Sequence, residues 1–325
     1  VALGVIGVGP MWERRYRPVL SRLADRLSIR AVYDAVPARA QIAAQELGAD
    51  VAAGLYQLFE RADLQGVLIL DPDWQGLVPA WIACECRKPA FLAGALGDDL
   101  ATLRDLHARS QQAGSFLMTE FSRRHTPATN RLRELMVTRL GSTRRVCVSV
   151  ALPESDLAAD AEEPRFVTEF LVGLLDWCAY VAGRIPVSLM AEPLSSSEET
   201  GWRVELGFRP DAQGTPSASA ELRLLTPRPN VDCAGHFAVE CERGRATLAG
   251  STEIAWDNGA GTGNESLTSD RSEAEVMLDK FCRRAVGGLV PVADVLDACR
   301  GIALARAIEL SLTQRRPIVS PWEGI

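Results

Sequence analysis

Two glycines one residue apart, Gly7 and Gly9, follow the apolar run Ala2-Leu3-Gly4-Val5-Ile6 and precede a helix-like stretch that opens with Pro10, Met11 and Trp12. Glycines so placed suit phosphate binding. The first allows a tight turn, the second lets the backbone approach a pyrophosphate with no Cβ in the way, and the amides at the helix start hold the anionic charge. A third glycine normally completes this fingerprint and permits close helix–strand packing. Trp12 stands in its place, which predicts either a displaced helix or an indole lying over the phosphate position. Asp34 ends the next apolar run, Leu27 to Tyr33. A carboxylate there suits the ribose hydroxyls of NAD and repels the extra phosphate of NADP, although Arg39 is close enough in sequence to reach such a phosphate. The candidate cofactor set is Gly7, Gly9, Pro10, Met11, Trp12, Asp34, Arg39 and, after a third apolar run, Asp71 and Pro72, with NAD expected over NADP. The competing reading keeps the sharp turn and drops the dinucleotide.

Other chemistry is sparse. Of the three histidines, His107 sits in a helical pattern and His236 beside a strand, and both read as surface or structural; His125 is the better acid–base candidate. No His/Cys/Asp/Glu group has metal-ligand spacing, so no metal is expected, and no nucleophile-elbow motif is present. The eight cysteines are scattered among apolar residues and read as core thiols in a reducing cytoplasm. The opening residues show neither a charged n-region nor a cleavage site, which predicts a chain without a signal peptide. No apolar run reaches the roughly 18 residues of a membrane helix. The net charge of −7, with no basic block to offset it, argues against nucleic acid as a partner.

The elements that would position these residues alternate at first. Apolar strand-like runs at Ala2–Ile6, Leu27–Tyr33, Gln65–Leu70, Pro89–Leu92 and Ser115–Thr119 are separated by helical patterns at Pro37–Leu47, Val78–Cys86 and Asp98–Ala113. That alternation predicts a doubly wound parallel sheet, with ligands beyond the carboxyl ends of its strands. The pattern changes after Pro127. Helical stretches at Ala128–Leu140, Phe166–Val181 and Val292–Thr313 flank strand-like runs at Arg144–Leu152, Val187–Met190, Trp202–Phe208, Ala218–Leu225, Phe237–Glu242, Ala246–Leu248 and Ile254–Trp256. Successive strands without intervening helices predict an antiparallel sheet. Glu154–Pro164 reads as an acidic loop, Asp257–Asn264 as a Gly/Asn-rich loop, and Asp270 with Glu273 as a capping box opening a helix through Arg283.

Several stretches carry a resemblance: Asp34-Ala35-Val36-Pro37-Ala38-Arg39-Ala40, Arg87-Lys88-Pro89-Ala90-Phe91-Leu92, Phe121-Ser122-Arg123-Arg124-His125-Thr126-Pro127, and the run from Asp297-Ala298-Cys299 through Ser311 to Arg316-Pro317-Ile318-Val319. Together and in order they resemble the glucose–fructose oxidoreductase, inositol dehydrogenase and MocA family over nearly the whole chain. The resemblance implies a Rossmann domain followed by an α+β domain with a large, mostly antiparallel sheet. It also implies hydride exchange between NAD or NADP and a sugar, polyol or related hydroxy compound. The chain departs from the family at the chemistry. Ala93-Gly94-Ala95 stand where the family has Glu-Lys-Pro, and Gly173 replaces the acid–base histidine of a helix whose two acids align with Glu169 and Asp176. A positioned base contributes about 10²–10⁴-fold to such a reaction, so any redox activity needs a substitute. Asp176, Glu169 and His125 are the leading candidates, with Asp71, Asp73, Glu120 and Tyr180 behind them. Asp71 and Asp73 also suit turn amides around Pro72, and Glu120 suits an ion pair with Arg123 or Arg124.

The expected architecture is a dinucleotide-binding Rossmann domain over 1–122 and an α+β substrate and oligomerisation domain over 123–325. A homodimer or homotetramer through the second sheet is expected, with Leu206, Phe208, Leu222 and Leu224 as interface candidates. Two functions compete: an NAD(P)-dependent oxidoreductase on a sugar-like or other hydroxy substrate, and a non-catalytic relative that binds a dinucleotide or partner protein, or that serves as a ligand-free structural subunit.

Overall fold

Strands that are apolar throughout need cover on both faces, and the first sheet has it. The computed structural model describes residues 1–71, 73–94, 96–153, 166–195, 200–210, 218–226 and 235–319. β1 (Ala2–Ile6), β2 (Ser28–Tyr33), β3 (Asp50–Val51), β4 (Gly66–Ile69), β5 (Ala90–Leu92) and β6 (Leu117–Thr119) lie in the order β3-β2-β1-β4-β5-β6, and every pairing is parallel. Helices α1 (Arg17–Leu20), α2 (Pro37–Leu47), α3 (Leu55–Phe59), α4 (Val78–Glu85) and α5 (Leu100–Ala113) fall between the strands. The strand order reverses between β1 and β4, the place where such sheets open a crevice beyond their strand ends.

The second unit begins with α6 (Pro127–Leu135), whose N-cap Thr126 accepts the Thr129 amide and whose last turn widens into a π-helical turn, Met136–Leu140. After β7 (Thr143–Ala151), α7 (Glu169–Ala182) runs from N-cap Thr168 to Gly183, a left-handed C-cap. Then come β8 (Pro186–Ser195), β9 (Thr200–Phe208), β10 (Ser219–Leu225), β11 (His236–Cys241), β12 (Gly244–Ala249), β13 (Glu253–Asp257) and β14 (Thr262–Ser266). With β15 (Ile318–Val319) they form a nine-stranded sheet in which only β7 and β10 pair in parallel. The expected acidic loop at Glu154–Pro164 lies outside the described residues. β14 falls partly in the expected Gly/Asn-rich loop; it is an edge strand of polar residues, with no apolar alternation to mark it.

Alternation sorts the two faces of this sheet. Val146, Val148, Val204, Leu206, Phe208, Leu222, Leu224 and Val239 are buried. The antiparallel register sets Leu206 opposite Ala220 and Val204 opposite Leu222, so these side chains share the inner face. Leu206, Phe208, Leu222 and Leu224 are therefore core residues rather than an open interface. The other face carries charge: Arg203 pairs with Glu205 at 2.6 Å, and Arg145 and Arg203 both approach Glu221.

The chain then returns. Residues Ser272–Cys299 cluster with Val1–Ser122, and the second unit comprises Arg123–Arg271 and Arg300–Ile325. The expected continuous second domain over 123–325 is thus interrupted. α8 (Glu273–Ala285) supplies Met277, Leu278 and Phe281 to the core built on Leu3, Phe91 and Met118. Its capping box is Ser272 with Glu275, two residues later than the sequence pairing of Asp270 with Glu273. α9 (Val295–Gln314) follows, and its Ser311 hydroxyl accepts the β8 amide of Ala191 at 2.9 Å.

Candidate functional site

The turn after β1 forms because glycine can make it. Gly7 has φ +82°, and a Cβ there would lie 2.1 Å from the backbone oxygen of Asp71. β1 and β4 are neighbours, so the residue that leaves β4 meets the glycine turn. Asp71 turns its carboxylate onto the helix start: Oδ1 accepts the Met11 amide at 3.3 Å and Oδ2 the Trp12 amide at 3.1 Å. The open side of Gly9 faces the same group, with Asp71 Cγ 3.1 Å from where a Cβ would stand. Trp12 does not lie over this position. Its indole is fully buried among Leu3, Tyr16 and Phe91, in a chain segment wound as a π-helical turn, Trp12–Tyr16. The wider turn accommodates the bulk that glycine would have avoided.

The other strand-end acids are also engaged within the unit. Asp34, with its side chain only 1% exposed, accepts the Val8 amide at 2.8 Å and the Val36 amide at 2.7 Å. Arg39 stands 4.0 Å from it. Glu120 pairs with Arg15 at 3.1 Å and accepts the Gly94 amide at 3.2 Å; the sequence had suggested Arg123 or Arg124 as its partner. Gly94, aligned with the family lysine, has φ +75° and open space where a side chain would begin. Pro72 and Ala95 lie outside the described residues.

A dinucleotide pyrophosphate does not fit this arrangement. It needs the amides at the helix start and the bare face of the second glycine. Pro10 has no N–H to give, Met11 and Trp12 donate to Asp71, and the Asp71 side chain occupies the approach to Gly9. A second anion at the same amides would meet the first at Coulombic cost.

In the second unit the candidate acid–base residues have different surroundings. Asp176 is buried and receives Arg124 in a two-pronged pair, Nε to Oδ2 at 2.7 Å and the second nitrogen to Oδ1. Tyr180 stacks beneath the same guanidinium, 5.1 Å from ring centre to Cζ. Glu169 is exposed in the first turn of α7, where an acid complements the helix dipole. His125 is buried in the 3₁₀ turn Ser122–His125. Gly173 has open space around the missing Cβ. Among the described residues no cluster of His, Cys, Asp and Glu suits a metal ion, and no helix is long and apolar enough to cross a membrane.

The second unit also holds a cavity of about 380 Å³, lined by Arg123, Thr126, Phe170, Trp177, Phe237 and Ser251 among others. Sequence reasoning treated Arg123 only as one of two adjacent arginines. Its ring partners, Phe170 and Phe237, are remote in sequence, and nothing in the local pattern announces them.

No protein-family model and no curated protein sequence matches the chain. Solved structures do. A UDP-N-acetylglucosamine 3-dehydrogenase from Acidithiobacillus ferrooxidans is 18% identical with TM-score 0.73, over 96% of this chain and 98% of its own. An aldose–aldose oxidoreductase from Caulobacter crescentus, complexed with glycerol, is 15% identical with TM-score 0.75, over 98% and 99%. A levoglucosan dehydrogenase in complex with NADH and L-sorbose is 14% identical with TM-score 0.76, over 99% of both chains. A Rossmann-type parallel sheet followed by a large, mostly antiparallel one, matched end to end in these enzymes, is the fold of the glucose–fructose oxidoreductase, inositol dehydrogenase and MocA dehydrogenases.

Proposed function

We propose that this chain is a non-catalytic relative of the sugar dehydrogenases, one that keeps their two-unit frame and binds a small molecule without hydride transfer. The Asp71 carboxylate on the Met11 and Trp12 amides carries the reading, because it takes the place of the cofactor's pyrophosphate. The acid–base side agrees with it: glycines stand at positions 94 and 173, and Asp176 is committed to Arg124. A second reading, NAD-dependent oxidation of a sugar-like hydroxy substrate, is favoured by Asp34, whose position after β2 suits an NAD ribose. Isothermal titration separates the two. The wild type is expected to give no measurable heat with NAD or NADP, and Asp71→Ala, which frees the two amides, to gain NAD binding. Wild-type affinity for NAD of about 10 μM or tighter, roughly −7 kcal/mol, would overturn the first reading in favour of the second.

A further inference from the structure

Arg123 and Arg124 are consecutive, yet their surroundings differ. Arg124 faces the Asp176 carboxylate. Arg123 stacks on two rings, its Cζ 5.4 Å from the centre of Phe170 and 5.2 Å from that of Phe237. Among the described residues no carboxylate lies within ion-pair distance of it and no hydrogen bond leaves its guanidinium. Burial pushes that guanidinium below its usual pKa. A charge taken out of water without a counter-charge is costly, and this one borders a cavity.

The rest of the lining sorts into groups already used and groups left open. The Thr126 hydroxyl bonds to the Thr129 hydroxyl at 2.9 Å, and the Trp177 indole donates to Thr129 at 3.0 Å, so this polar chain is closed on itself. Phe170, Trp177 and Phe237 supply aromatic surface, and Val150, Ala151 and Leu248 aliphatic surface. Among the described residues no acid lines the cavity. The volume, about 380 Å³, falls in the range of small-molecule pockets.

We propose that this cavity is a binding site for a small organic carboxylate with a CH-rich or aromatic face, its carboxylate held by Arg123 and its apolar face resting on Phe170, Trp177 and Phe237. The guanidinium presents a planar donor fork that matches a carboxylate. The ring surfaces hold the body of the ligand and exclude water, which strengthens the ion pair. Every element of the site lies in the second unit, so the inference stands whether or not the first unit takes a dinucleotide.

The test is calorimetric titration of the full chain with matched probes: D-gluconate against sorbitol, benzoate against benzyl alcohol, and inorganic phosphate alone. At least one carboxylate is expected to bind about tenfold or more tightly than its neutral twin, since the bond lost is one to a charged group. Arg123→Gln should abolish that preference, and Arg123→Lys should retain part of it. Phe170→Ala, which leaves the guanidinium in place, should weaken the preferred carboxylate and provides the test if Arg123→Gln does not fold. The proposal is overturned by equal binding of the charged and neutral twins, by a preference that survives Arg123→Gln, by Phe170→Ala binding as the wild type does, or by neither carboxylate binding. Phosphate binding tighter than either carboxylate and lost in Arg123→Gln would overturn the carboxylate assignment in favour of a phosphorylated ligand.

Discussion

At the strand ends of the first unit, Asp34, Asp71 and Glu120 are each turned onto backbone amides, and Glu120 also meets Arg15. In the second unit Arg123 lies against two phenyl rings beside a cavity that no acid lines among the described residues. The first region turns its acids onto its own backbone amides. The second holds a guanidinium whose burial disfavours its charge. One fold thus holds a crevice whose acids face its own amides and a separate cavity bordered by a cation on two rings. Sites built for ligands are commonly less stable empty than a structural interior would be.

The contrast can be broken most severely at the neighbouring arginine. Asp176→Ala removes the carboxylate facing a mostly buried Arg124 and should destabilise by about 3–5 kcal/mol, read by urea denaturation. A loss below about 1 kcal/mol, the scale of an exposed pair, would make Arg124 no different from Arg123. It would also release Asp176 for the catalytic role the sequence suggested. Gly7→Ala should come next. Its Cβ would stand 2.1 Å from the Asp71 backbone oxygen at φ +82°, a combination of strain and clash worth about 3 kcal/mol. An unchanged thermal midpoint would mean that the turn is not closed against β4. The smallest effect has the opposite sign. Arg123→Met keeps apolar contact with the rings and deletes the charge, and should stabilise the empty protein by about 1 kcal/mol. A clear loss of stability instead would mean that Phe170 and Phe237 already compensate the cation, leaving nothing for a ligand to supply.

Much of this frame was legible in the chain. Apolar runs ending at Ile6, Tyr33, Leu70 and Leu92 marked the parallel strands, and alternation marked the strands of the second sheet. Periodicity reports which face is apolar, not what lies against it. For that reason Leu222 and Leu224 were read as interface candidates although they lie in the core. The glycine turn was read as a phosphate site, and the carboxylate found against it was not foreseen. Asp71 reaches it only because β4 lies beside β1, a pairing set by topology. Asp71 was expected at turn amides around Pro72, but the amides it meets, those of Met11 and Trp12, open a helix elsewhere in the chain. The role of Arg123 depends on two rings brought in by α7 and β11, which local sequence does not connect.

Residues Ser272–Cys299 complete the first unit, and this imposes an order on synthesis. When the first 122 residues have left the ribosome, their core still lacks Met277, Leu278 and the Phe281 ring that lies 6.0 Å from Phe91 and 5.7 Å from Phe116. The nascent chain must carry that uncovered apolar surface until every strand of the second sheet but β15 has been made. Domains that fold as they emerge shorten the time such surface is exposed; here the first unit waits for α8. A ribosome stalled before α8 would therefore display a parallel sheet with all its strands but without the cover of Met277, Leu278 and Phe281, the form of this protein that chaperones would meet first.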